Sequence, residues 1–296
     1  MIIYKYIKQN YTKKIKIFGL TVYKKTDRFK KIFSQLENIK CDIRYLKIKH
    51  NMEIAVWQHH SKVFPQFKNA HLNQTAVLVA TGPTLNYYTP LNNVVNFGVN
   101  KACRRADISL DYWFVIDYHA APELLDEIKD ASFKKFFGQC SSSSSNHPYI
   151  RPQWGERYHF TDYMIEQQCN AYKFYFDHPS KEVNRDIESQ ALPDLGSCVF
   201  PALYFAVYTG IKKIYIVGCD CALNGYFDKT AQKKDFNVEN VRSGWNAFKY
   251  YIDAFHPEVE LISVNPVGLK GLFHDVYTES YLNDHPEINR NDIEIL

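Results

Sequence analysis

The chain has 296 residues, a hydrophobic fraction of 46% and a charged fraction of 23%, which suits a globular protein of one large or two small domains. A net charge of +4 does not support nucleic-acid binding, and the longest apolar stretch, Cys198 to Val207, contains Pro201 and is far too short to span a membrane. Seven cysteines without paired CxxC motifs, and an N-terminus without an apolar secretion run, read as reduced thiols of a cytoplasmic protein.

Residues 1–72 form a basic-aromatic N-terminal extension, partly helical. Lys5, Lys8, Lys13, Lys14, Lys16, Lys24, Lys25, Arg28, Lys30 and Lys31 alternate there with Tyr and Ile, and Asp27 is the lone acid among them. Such a segment suits either a solvated or packed arm or a peripheral contact with the anionic inner face of the cytoplasmic membrane. Residues 36–72 read as helical with irregular breaks. The adjacent His59 and His60 face different ways on a helix and do not read as a metal pair.

The core domain spans 73–275. Its organising stretch is Ala76-Val77-Leu78-Val79-Ala80, a buried strand that stops at Thr81-Gly82-Pro83-Thr84. A Gly-containing turn at a strand end can present backbone N–H groups to a phosphate, or simply lead to a helix. A second strand, Val94 to Asn100, ends in Asn100. A third, Leu110 to Ile116, ends in Asp117. Thr81, Asn100 and Asp117 would then gather on the carboxyl edge of a parallel sheet, where α/β folds bind ligands. Pro122 to Lys129 opens a helix, and Lys134 to Gln139 reads as a short strand. The serine run from Ser141 reads as a polar surface loop, and about 141–193 as an insertion with short helices on the acceptor side of a cleft.

Gly196-Ser197 precedes an apolar helix, Cys198 to Tyr208, that stops at Gly210. Ser197 can cap that helix or offer its hydroxyl to a ligand. The strand Lys212 to Gly218 ends at Asp220, followed by Asn224-Gly225-Tyr226-Phe227-Asp228, a turn equipped to hold a ribose or phosphate. Trp245 to Phe255 is an amphipathic helix, and Glu260 to Val264 the last core strand, ending in Asn265-Pro266. Residues 276–296 read as a loosely structured C-terminal tail. The fold class expected is α/β, a Rossmann-like parallel sheet flanked by helices.

Three fragments together, Ala80-Thr81-Gly82-Pro83-Thr84-Leu85, Gly210 to Asp220 with its Lys213-Ile214-Tyr215-Ile216-Val217-Gly218 core, and Asn265-Pro266, carry a resemblance. The chain resembles the bacterial sialyltransferases of glycosyltransferase family 42 and the related domain of motility accessory factors and 6-hydroxymethylpterin diphosphokinases. The resemblance covers roughly residues 75–275. It implies a nucleotide held at the strand ends: Thr81, Gly82, Pro83 and Thr84 against the phosphate, Asn100 and Asp117 at the donor, Gly196 and Ser197 at the cytidine or sugar, Asp220 and Asn265 nearby, and Tyr226 steadying the leaving group.

The family's base His has no counterpart, since residues 229–244 contain no His. His274 in the tail is the candidate base, with Tyr226 and Asp117 as the other catalytic candidates. The chain also lacks a D-x-D motif, so no metal site is expected. The implied function is metal-independent transfer of a sugar, sialic-acid-like and CMP-activated, to a surface glycan such as lipopolysaccharide or capsule. The donor is a substrate and no cofactor is expected. The partners expected are donor, glycan acceptor and a second copy of the chain. The alternatives are an ATP- and Mg²⁺-dependent diphosphokinase-like enzyme, with Asp117 and Asp220 as ion ligands, and a glycan-binding protein without turnover.

Overall fold

A computed structural model describes residues 16–17, 20–21, 27–116, 123–141, 169–177, 186–230 and 238–296. Its contacts divide the chain into Met1–Asn51 and Met52–Leu296. The first unit holds a two-residue hairpin, β1 (Lys16–Ile17) and β2 (Leu20–Thr21), and the start of helix α1 (Asp27–Val63). The breaks expected between 36 and 72 are absent from this helix: no Pro or Gly interrupts the sequence until Pro65, which ends it. The division falls at 51/52 and not at 72/73, because Val56, His60 and Phe64 are buried in the second unit.

The second unit is α/β. Its strands are β3 (Thr75–Val79), β4 (Val95–Val99), β5 (Tyr112–Val115), β6 (Lys134–Cys140), β7 (Tyr172–Asp177), β8 (Leu192–Pro193), β9 (Lys213–Val217), β10 (Glu260–Val264), β11 (His274–Tyr277) and β12 (Glu294–Ile295). The helices after α1 are α2 (Leu125–Ile128), α3 (Val199–Tyr208), α4 (Val238–Phe255) and α5 (Glu279–Asp284). All ten strands pair in parallel, in the order β12-β11-β10-β9-β3-β4-β5-β6-β7-β8. The chain builds outward from β3 to β8, crosses back through α3, and resumes at β9 on the other side of β3. The sheet is therefore Rossmann-like, and its order reverses between β3 and β9.

Side chains alternate across this sheet as the pleat requires. Ala76, Leu78, Phe97, Phe114, Phe136, Ile214 and Ile216 pack on the face covered by α3, α4 and the end of α1. Val77, Val79, Trp113, Val115, Phe137 and Val217 pack on the other face with Leu85, Ala102, Leu124 and Ile128. The aromatic richness goes largely into the first face. Phe136 stacks on Phe114 at 4.7 Å and Tyr172 at 5.1 Å, and Phe205 of α3 lies 4.8 Å above it. Such rings serve core packing more than a polar cleft wall.

Two sequence expectations are corrected here. The described parts of 141–193 include two further strands, β7 and β8, and no helix. Pro193 is tolerated because β8 is the sheet edge. The tail after 275 is not loose: β11 begins at His274, and α5 and β12 follow, with Tyr277, Tyr281 and Leu282 forming a small buried cluster. The helix expected from Trp245 starts earlier, at Val238. The described helix in the segment after Pro122 spans Leu125–Ile128, and Pro122 itself lies outside the described residues.

Candidate functional site

A cleft opens at the carboxyl ends of β3, β4 and β9, where the strand order reverses. Thr81, Asn100, Ser197, Asp220 and Tyr226 line it together with Trp245. With Gly82, six of the residues singled out from sequence thus meet in one place, although they are up to 145 positions apart (Tyr226 minus Thr81).

The turn after β3 works differently from a phosphate cradle. Gly82 has an extended backbone, φ −70° and ψ 160°, so no unusual angle requires glycine. Space does: a Cβ there would lie 2.6 Å from Asp220 Oδ1 and 2.7 Å from the Gly218 carbonyl. The Gly82 N–H donates to that carbonyl at 2.7 Å, Pro83 has no N–H, and the Thr84 N–H donates to Asp220 Oδ2 at 3.2 Å. From Gly82 to Thr84 the backbone amides are therefore used inside the protein. The correction has a simple cause, close packing of β3 and β9 at their ends. Thr84 is buried, and only the Gly82 and Thr81 positions of this turn face the cleft.

Asp220 is the knot of this arrangement and is 4% exposed. Its carboxylate accepts from the Thr84 N–H, the Thr84 hydroxyl and, at 2.9 Å, the Asn224 amide. Burial pushes the carboxyl pKa up, while these donors pull it down. Both oxygens are engaged, so Asp220 positions the turn, and its neighbour Cys221 takes a left-handed φ of +46° at the cleft wall.

The loop carrying Tyr226 is fastened over the turn. Phe227 N–H donates to the Thr81 carbonyl at 3.0 Å, and the Asn86 amide to the Phe227 carbonyl at 3.0 Å. Lys101 Nζ lies 3.2 Å from Asp228 Oδ2, 3.1 Å from the Thr230 hydroxyl and 5.7 Å from the centre of the Tyr226 ring. A cation is thereby held beside the phenol of Tyr226.

Asn100 is the residue with unfinished bonding. It sits at the end of β4 with φ +48°, a conformation Asn tolerates better than most residues. Its backbone carbonyl accepts from the Trp113 indole at 2.7 Å, but its buried side-chain Oδ1 has no partner among the described residues. Trp245, fully buried, turns its indole N–H toward the Cys221 sulfur, a weak acceptor, and has no oxygen or nitrogen partner among the described residues. Burial raises the thiol pKa of Cys219 and brings that of Cys221 to about 11, so neither is a ready nucleophile.

Ser197 lines the cleft just before α3. The helix has no side-chain cap; the Ser197 hydroxyl meets the Val199 N–H only at 3.5 Å. Gly196 turns away. It has φ +88°, and a Cβ there would meet the Asn240 amide at 2.5 Å.

Two sequence candidates are displaced. Asn265 is fully committed to Thr278, donating to its hydroxyl and accepting its N–H, both at 2.9 Å. It joins β10 to the N-terminus of α5 and does not line the cleft. His274 begins β11, in register with Ile262 of β10 and through it Tyr215 of β9, and stands two strands from β9. It pairs with Glu294 at 2.9 Å and faces Glu260 at 3.9 Å, each the first residue of its strand. A base must reach the acceptor hydroxyl, and His274 is not among the residues that line the cleft. No histidine is among the described residues that line the cleft. Asp117 lies outside the described residues.

Sequence reading missed Trp245 as a cleft wall, because an amphipathic helix position facing Phe200 and Phe248 reads as core. Among the described residues no group of three His, Cys, Asp or Glu is placed to hold a metal ion, and no helix is long and apolar enough to cross a membrane. Neither a scan of protein-family models nor a search of curated proteins returns a match to this chain.

Proposed function

We propose that this protein is a glycosyltransferase that takes a sugar from a nucleotide donor, CMP-activated and sialic-acid-like, and passes it to a bacterial surface glycan such as lipopolysaccharide or capsule. The observation that carries the reading is that Asn100, which lines a cleft at the point where the sheet order reverses, has a buried side-chain Oδ1 without a partner among the described residues. A buried acceptor without a donor costs about 1–3 kcal/mol, which a ligand hydroxyl or amino group can return. Ribose and cytosine both carry such donors. In the transfer, the acceptor oxygen bonds to the anomeric carbon as the bond from that carbon to the donor phosphate oxygen breaks, and the acceptor hydroxyl's proton passes to the departing phosphate. The departing phosphate gathers negative charge, which the Tyr226 hydroxyl of the cleft would steady; Lys101 beside that ring is itself paired with Asp228 at 3.2 Å.

The ATP- and Mg²⁺-dependent alternative is weakened by Asp220, both of whose oxygens are already engaged. A protein that binds a glycan without turnover remains the second reading, supported by the lack of a lining histidine among the described residues.

A thermal-shift panel of CMP, CTP, UDP, GDP and ATP, each with and without Mg²⁺, separates these readings. Stabilisation by CMP or CTP without metal is expected. Stabilisation by ATP only with Mg²⁺ would transfer the proposal to the phosphotransfer alternative. Hydrolysis of a CMP-sugar in the absence of acceptor would exclude binding without turnover. Asn100→Gly removes the orphan carbonyl and keeps the left-handed backbone at no strain. It should weaken CMP binding about tenfold, close to 1.4 kcal/mol, with the melting temperature of the free protein little changed. Unaltered affinity would remove Asn100 from the site.

A further inference from the structure

The strongest unexplained feature lies in the first unit. Ile32, Leu36, Ile39, Ile43 and Leu46 recur along α1 at alternate spacings of four and three residues. All five are exposed, from 47% at Ile32 to 62% at Ile43. A repeat of four and three averages 3.5 residues per turn, against 3.6 for a straight helix. The stripe it makes is narrow and continuous over ~21 Å, the shape that a second helix covers by supercoiling. Isolated exposed apolar residues are ordinary, but five in this register are not.

The flanking charges say what covers the stripe. With Leu36 and Ile43 at the first core position of each heptad, and Ile32, Ile39 and Leu46 at the fourth, Asp42 takes the last position of its heptad and Lys47 the fifth position of the next. In a parallel pair of identical helices these two positions meet across the interface, so Asp42 of one copy faces Lys47 of the other, twice by symmetry. In an antiparallel pair fifth positions meet fifth positions, and Lys40 and Lys47 would face lysines. An anionic membrane would also accept Lys31, Lys40, Arg44, Lys47 and Lys49, but it favours a broad apolar face and gains nothing from Asp42 beside it.

We propose that residues 32–46 of α1 form a parallel coiled coil with the same segment of a second copy of this chain, in the register that pairs Asp42 with Lys47 of the other copy. This goes beyond the catalytic reading and does not depend on it.

The test uses the full chain in light scattering coupled to size exclusion, and in sedimentation equilibrium. The expected mass is an integer multiple of 34.7 kDa, above one. Ile39→Asp combined with Ile43→Asp should give the monomer with the melting transition of residues 52–296 retained, since both side chains are exposed in the single chain. Asp42→Lys should raise the dissociation constant at least tenfold, and adding Lys47→Asp should restore it. A monomeric wild-type protein at tens of micromolar would overturn the proposal, and flotation of that monomer with phosphatidylglycerol vesicles would assign the face to lipid instead. Self-association unaffected by the Ile39/Ile43 pair would overturn it too, and association insensitive to the charge exchange would overturn the parallel register.

Discussion

Asp220→Ala should destabilise the protein by about 4 kcal/mol and abolish the nucleotide binding proposed above. The carboxylate is buried and accepts from the Thr84 N–H, the Thr84 hydroxyl and the Asn224 amide. Hydrogen bonds to charged groups contribute about 1.5–3 kcal/mol each and do not add fully, and alanine leaves every one of those donors without an acceptor. The lost bonds are also those that seat the Gly82 turn against β9 and hold Asn224 in the cleft wall, so ligand affinity falls with stability. Asp220→Asn has the same shape but turns an NH₂ toward one of the donors. It should cost about 2 kcal/mol by the same reasoning, and it remains folded for binding measurements. Urea unfolding of both variants and of Thr84→Val, which removes one donor, checks the order Ala, Asn, Val from most to least destabilised. An Asp220→Ala protein within 1 kcal/mol of the wild type would show that the carboxylate is not the knot described here.

Acidification should cost the fold about 3 kcal/mol through His60 alone. This ring is fully buried between Phe64 and Tyr175, accepts the Tyr175 N–H at Nε2 at 2.8 Å and donates Nδ1–H to the Ile187 carbonyl at 3.0 Å. Burial lowers its pKa from 6.5 to about 4, against the pull of the Ile187 carbonyl; His59 pushes the same way as burial and Asp186 opposes it. Above pH 6.5 both folded and unfolded chains carry the neutral ring and the contribution is complete. Between 6.5 and 4 the unfolded chain binds a proton that the folded chain refuses, so stability falls by up to about 1.4 kcal/mol per pH unit. Below 4 both are protonated and the loss levels off. Unfolding free energies of the wild type and His60→Gln from pH 7.5 to 4.5 should converge as the pH falls. Parallel curves would refute the assignment, and so would a ring that titrates near 6.5 by NMR.

The strands β3, β4, β5, β9 and β10 were legible in the sequence because each is a short run of branched or aromatic residues closed by a polar or glycine stop, a pattern that local sterics and burial enforce. The gathering of Thr81, Asn100, Asp220 and Tyr226 followed from the same reading, since parallel strands must place their carboxyl ends on one edge. The short strands β8 and β12 at the two sheet edges, and β11 beside β12, were not legible. Two to four residues carry no period, and their pairing partners are set by the sheet that is already there. Nor could sequence say which polar atoms are spent. Asp220, Asn265 and Asn100 look alike as polar strand ends, yet the close approach of β3 and β9 consumes the first, Thr278 consumes the second, and the third keeps a buried oxygen without a partner among the described residues. The sequence by itself determined the layer architecture, because hydrophobic alternation is a local property. The tertiary structure decided which residues can meet a ligand, because hydrogen-bond satisfaction depends on neighbours more than a hundred positions away.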